Sequence, residues 1–170
     1  MFQLSVKAIR FLLIGVLFLS GCTGRTARHR ATATYLLDPS SEAQSLNRDQ
    51  TNILSIAKEL LGTKYRFGGT NPSTGFDCSG YVAYVYKKAT GLSLPRQSRD
   101  QMEAGRPVSS SLRPGDMVYF KISNPNSWHT GIYMGKGEFI HAPRTPGRVN
   151  IQDMNLPYWK KRFFGARRFL

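Results

Sequence analysis

The chain changes its hydrophobic pattern once, and that change limits what it can fold into. In "DQTNILSIAKELLG" apolar residues fall at 53, 54, 56, 57, 60 and 61, behind Asp49 and before Gly62. This predicts an amphipathic helix with Asp49 at its N-cap and Gly62 as its stop. "CSGYVAYVYKKA", residues 78–89, predicts a second helix, with Asp77 as N-cap and Gly91 as terminator. Its Tyr and Val residues are poor helix formers, so tertiary packing must support it. Between the two lies "TKYRFGGTNPSTG", a loop rich in breakers, and "SRDQMEAG" predicts a short helix ending at Gly105. After the "RPGD" turn at 113–116 the character is β: "MVYFK", "HTGIYMG", "EFIHA", "VNIQDM" and "RFFGARRFL" are short runs separated by Gly, Pro and Asn. Helices followed by a meander of strands predict an α+β domain over residues 49–170. Its helices should pack on a mostly antiparallel sheet of five to six strands.

The N-terminus predicts export. Lys7 and Arg10 precede "FLLIGVLFL", an apolar run of nine residues, far short of the roughly 20 needed to span a bilayer. A signal peptide over residues 1–21 is expected. It ends in "LSGC", residues 19–22, which resembles the lipobox of bacterial lipoproteins. That resemblance implies cleavage before Cys22 and lipid on its sulfur and amino group, with several acyl chains anchoring the protein stably. Thr23 follows where an Asp resembles an inner-membrane retention signal, so an outer-membrane anchor facing the periplasm is expected. Residues 22–48, rich in Thr, Ser, Ala and Arg, read as a flexible tether.

Export changes the meaning of both charge and cysteine. The formal net charge is +14, and cleavage would remove Lys7 and Arg10. Export out of the cytoplasm argues against nucleic acid as partner, despite this charge. Anionic wall or lipid head groups fit it, and so does a merely solvated surface. With Cys22 committed to lipid, Cys78 has no disulfide partner in an oxidising compartment, which flags a reactive thiol.

Cys78 falls at the predicted start of a helix, where free N–H groups and the helix dipole favour negative charge. A depressed thiol pKa is therefore expected. Of three histidines, His29 lies in the tether. His129 opens one strand of a predicted hairpin and His141 ends the other, with the turn near Gly135–Gly137, so the two should meet at its open end. Cys78 as nucleophile, His129 as base and His141 as orienting group would make a triad. The Cys78 N–H would suit an oxyanion.

The ordered set "YRFGGTNPSTGFDCSGYVAYVY", "LPRQS", "LRPGDMVYF" and "HTGIYMGKGEFIHA" resembles the NlpC family of cell-wall cysteine peptidases over roughly residues 50–170. The resemblance implies a papain-like core and hydrolysis of peptide bonds in peptidoglycan stems or cross-links. It assigns Cys78 as nucleophile, His129 as general base and His141 as the third polar group. It also implies supporting or substrate-binding roles for Tyr65, Asp77, Ser79 and Arg96. Asp77 is most simply a helix cap, and Arg96 could meet a stem-peptide carboxylate. No cofactor or metal is expected, and a monomer is. The alternatives are a non-catalytic wall-binding scaffold, a zinc site on Cys78 and the two histidines, and acyl transfer to lipid. The intervals of 51 and 12 residues lack the close ligand pairs that zinc sites use.

Overall fold

The structure is a computed structural model that describes residues 46–109, 111–123 and 127–170. The expected signal peptide, Cys22, His29 and all but the end of the expected tether lie outside the described residues. Four helices are described: α1 (Arg48–Glu59), α2 (Cys78–Thr90), α3 (Ser98–Ala104) and α4 (Pro157–Arg162). The strands are β1 (Thr70–Asn71), β2 (Gly75–Phe76), β3 (Arg106–Pro107), β4 (Met117–Lys121), β5 (Trp128–Gly135), β6 (Glu138–His141), β7 (Asn150–Asp153) and β8 (Phe163–Arg168). β3 to β8 form one six-stranded sheet in the order β3-β8-β4-β5-β6-β7, antiparallel throughout. The α+β reading, with helices on an antiparallel sheet in a papain-like layout, holds. β1 and β2 pair inside the segment read as a loop.

α1 begins two residues earlier than its sequence suggests, because Asn47 and not Asp49 caps it. The Asn47 side chain accepts from the Gln50 N–H at 2.8 Å, and Gln50 Oε1 accepts from the Asn47 N–H at 3.0 Å. This reciprocal box satisfies two otherwise orphaned donors. α2 matches its predicted start and stop. Asp77 Oδ1 accepts from the Gly80 N–H at 2.7 Å, and Gly91 ends the helix in a left-handed conformation.

The sheet has two apolar faces. Met117, Tyr119, Ile132 and Ile140 face α1 and α2, meeting Ile53, Leu54, Ala57, Val82 and Val85. Val118, Phe120, Tyr133, Phe139 and Ala166 face the other way, under Trp159 of α4. Successive β4 residues alternate between these cores, which is why "MVYF" is a continuous apolar run. α4 has only six residues, too few to be stable as an isolated helix. Burial of Trp159 to 8% exposure, worth about 2–3 kcal/mol by comparison with other large apolar side chains, is what holds it.

Buried hydroxyls tie α2 in place. Tyr81 donates to the Ala57 carbonyl at 2.9 Å, and Tyr86 donates to the Gly115 carbonyl in the 113–116 turn. Asp116 of that turn takes a two-pronged ion pair from Arg168 of β8, at 2.7 and 2.6 Å. The helix that begins with Cys78 is thus fastened to α1 and to the sheet.

Candidate active site

Cys78 is the first residue of α2, and its neighbours come from three directions. From behind, Asp77 organises the turn: its carboxylate accepts from Gly80, from the Gly68 N–H at 3.0 Å and from the Ser79 hydroxyl at 3.2 Å. Arg96 forks onto the same carboxylate at 3.1 and 2.6 Å and also donates to Ser79 Oγ at 3.0 Å. Gly80 is required by close approach, since a Cβ there would sit 2.1 Å from the Gly69 carbonyl oxygen. From the side, the Ser98 hydroxyl at the start of α3 lies 3.5 Å from the sulfur. In front, the backbone of Thr130, the residue after His129, lies close enough to favour the charged form of the thiol. α2 therefore meets the sheet beside His129. Cys78 keeps partial solvent access although protein surrounds its sulfur on nearly every side.

His129 and His141 touch. His129 Nε2 lies 2.6 Å from His141 Nδ1. They are diagonal neighbours, because Ile132 pairs with Ile140 and that register sets His141 opposite Gly131. A Cβ on Gly131 would approach His141 Cβ to 3.1 Å and the Ile140 oxygen to 2.8 Å. The bare glycine leaves the space His141 uses to reach across.

A third group orders the pair. Asn150 stands opposite His141 on β7, with Oδ1 3.1 Å from His141 Nε2. The Asn150 Nδ2 donates to the Arg148 carbonyl at 3.0 Å, and Gln152 donates to Asn150 Oδ1 at 3.3 Å. The amide orientation is therefore set: the oxygen faces His141, so His141 carries its hydrogen on Nε2. His141 Nδ1 is then an acceptor, and His129 must donate from Nε2. That leaves a lone pair on His129 Nδ1, the tautomer a base for a thiol needs.

Aromatic rings wall the histidines off from water. Trp159 stacks on His129 at 5.7 Å and 25° and meets His141 edge-on at 5.1 Å. Phe120 and Phe139 complete the enclosure. Burial pushes His129 down to about 4. Burial, then the neighbouring His129, push His141 lower still. Burial also raises the Cys78 thiol, and Asp77 adds to this, against the Ser98 and backbone hydrogen bonds that lower it. Desolvation is thus the largest influence on the sulfur, and it runs against the depressed thiol pKa expected from the helix start. The resting pair is neutral thiol and neutral imidazole, suited to proton transfer during attack.

Burial opposes the Asp77 charge, but Arg96, the Gly80 N–H and Ser79 together hold its carboxyl below the usual range. Tyr65, whose backbone bridges to Phe76 two residues before Cys78, is raised by burial and by charge on Cys78 and Asp77, against Arg144, which lowers it.

Among the described residues no group of three or more His, Cys, Asp and Glu side chains could hold a metal ion. The histidines spend their facing nitrogens on each other. A cavity of about 220 Å³ opens behind His141, lined by Asn150, Gln152, Pro143, Tyr158 and Trp159 among others. Tyr65, Asp77, Ser79 and Arg96 all gather at the start of α2. Arg96 is engaged by Asp77 and Ser79 rather than projecting free toward a ligand. Ser98, Asn150 and Trp159 are the residues that sequence reasoning missed. Ser98 was in view inside "LPRQS", but Asn150 becomes visible only once β6 and β7 are paired.

The sequence profile of the NlpC/P60 family matches residues 62–168. The chain is 36% identical to the murein DD-endopeptidase/murein LD-carboxypeptidase MepS of Escherichia coli K12, covering 98% of this chain and 97% of that protein. It is 42% identical to a gamma-DL-glutamyl hydrolase of Bacillus subtilis over 69% of this chain, a match spanning only 29% of that longer protein. The crystal structure of an NlpC/P60 family protein from Bacillus cereus superposes with a TM-score of 0.64 at 34% identity, over 71% of this chain and 40% of that one. With a cysteine opening the helix, a histidine pair on the sheet and a family profile spanning most of the folded region, the chain belongs to the NlpC/P60 family.

Proposed function

We propose that this protein is a peptidoglycan endopeptidase in which Cys78 is the nucleophile, His129 the general base and His141 the group that orients it. The observation that carries this reading is the 2.6 Å contact of His129 with His141, with the backbone of the next residue on that strand, Thr130, near enough to the Cys78 thiol to favour its charged form. The relatives named above act on murein or on γ-glutamyl bonds, which supports cell-wall stem peptides as substrate.

In the first step His129 Nδ1 takes the thiol proton while sulfur attacks the scissile carbonyl carbon. The carbonyl π electrons move onto oxygen, and the Cys78 N–H, free of any intrahelical acceptor, would donate a hydrogen bond to the resulting oxyanion. Collapse of this adduct breaks the C–N bond. The His129 imidazolium gives its proton to the leaving amine, and a thioester remains. Water, deprotonated by His129, then adds to the thioester. Its collapse expels the sulfur, which takes back the proton and regenerates the thiol. Tyr65, bridged to Phe76 just before Cys78, supports substrate or oxyanion binding. Asp77, Ser79 and Arg96 hold the turn that presents Cys78.

In this reading the chain is exported, lipidated on Cys22 and held on the outer membrane facing the wall. Purified parent protein should release cleavage products from defined muropeptides, detected by mass spectrometry, and Cys78→Ala should release none. Equal activity of the two would sink the assignment. Wall binding without product release by the parent would mark a scaffold instead.

A further inference from the structure

One short segment grips all three residues of the nucleophile's turn. Arg96 holds Asp77 and Ser79 through their side chains. Gln101, fully buried on α3, donates its amide to the Ser79 carbonyl at 3.1 Å and to the Pro95 carbonyl at 2.8 Å. Between these two braces, Ser98 aims its hydroxyl at the Cys78 sulfur at 3.5 Å. Ser98 is 7% exposed, so water does not compete freely for it.

We propose that Ser98 is a catalytic hydrogen-bond donor that stabilises the Cys78 thiolate as it forms, a role that rests on Cys78 being the nucleophile. In the resting thiol either atom can donate. Once the proton has left, sulfur can only accept, and the Ser98 O–H must donate. The need for such a donor follows from burial, which opposes thiolate at this position. The other partners that favour thiolate are backbone groups of Thr130 and Ser79. Ser98 is thus the side-chain donor on the sulfur among the described residues, and it touches the reacting atom. A donor to a charged sulfur at this length belongs at the weak end of charge-assisted hydrogen bonds, equivalent to about one pH unit of thiol pKa.

The test needs no substrate. The full-length protein is treated with iodoacetamide across a pH series, and alkylation is read by mass spectrometry on the tryptic fragment carrying Cys78. Ser98→Ala should move the pH midpoint up by about one unit while leaving the plateau rate at high pH unchanged. Ser98→Thr, which keeps the hydroxyl, should restore the parent midpoint. On muropeptides Ser98→Ala should lose about tenfold in kcat with KM unchanged. A parent-like midpoint in Ser98→Ala overturns the proposal, even if activity falls. A shifted midpoint in a protein that cleaves no muropeptide upholds the role of Ser98 and refutes the peptidase reading instead.

Discussion

Asn150 touches neither the thiol nor the space in front of it, yet its removal should disable the base. In Asn150→Ala, the His141 Nε2–H loses the acceptor it has at 3.1 Å. Two outcomes are open to the buried pair. The N–H can stay unpaired, which costs about 1–3 kcal/mol. Alternatively His141 moves its hydrogen to Nδ1, against His129 Nε2. His129 must then shift its own hydrogen to Nδ1, and the lone pair meant for the thiol is gone. Either way the productive tautomer loses about 1–3 kcal/mol of its advantage, which corresponds to roughly 5- to 150-fold in kcat/KM. Asn150→Asp keeps an acceptor oxygen and adds a negative charge, which favours the imidazolium. It should retain activity within about threefold near neutrality and raise the acid limb of the pH profile. The assay is kcat/KM on a defined muropeptide across pH 4–9, with imidazole tautomers read by nitrogen-15 NMR. If a folded Asn150→Ala variant keeps kcat/KM within about twofold of the parent, the tautomer chain from Asn150 to His129 is wrong.

Other perturbations follow from the same geometry. Since His129 sits at about 4 when folded against about 6.5 unfolded, the unfolded chain binds more protons between these values. Stability should therefore be full above about pH 6.5 and fall as pH drops toward 4, by about 3 kcal/mol from this residue; flat urea midpoints between pH 7 and 4.5 would contradict its neutral burial. Gly131→Ala puts a Cβ against Ile140, Phe139 and His141, and should cost about 2–3 kcal/mol in thermal unfolding together with most activity. An unchanged melting temperature and rate would show that the space is not needed. Arg96→Ala removes an ion pair whose arginine is 45% exposed, so stability should drop by about 1 kcal/mol or less. A fall in kcat at constant KM marks Arg96 as a brace for Asp77, whereas a raised KM for carboxylate-bearing stems would return it to the role of substrate ligand.

The parts of this molecule legible in its sequence are those set by neighbours along the chain. Asp77 as a cap, Gly91 as a terminator and the turn at Gly135–Gly137 are local geometry, and the structure bears them out. The cap of the first helix is not decided locally, because Asp49 and Asn47 are both good capping residues. What decided between them was Gln50, which returns a hydrogen bond to Asn47. α4 escaped notice because six residues carry little periodicity, and its existence depends on where Trp159 can dock.

The candidate site divides along the same line. Composition, motif order and an unpaired Cys78 single out Cys78, His129 and His141 as candidates, since reactive residue types at helix and strand ends are a one-dimensional signal. Only the tertiary structure brought Ser98 to the sulfur and Asn150 to His141. It also enclosed the imidazoles with Trp159, a residue 30 positions from His129 in the chain. The protonation state belongs to the fold as well. Local sequence predicts a lowered thiol pKa from a helix start, and burial pushes the other way, because desolvation depends on every atom packed around the sulfur and not on the residues beside it in the chain.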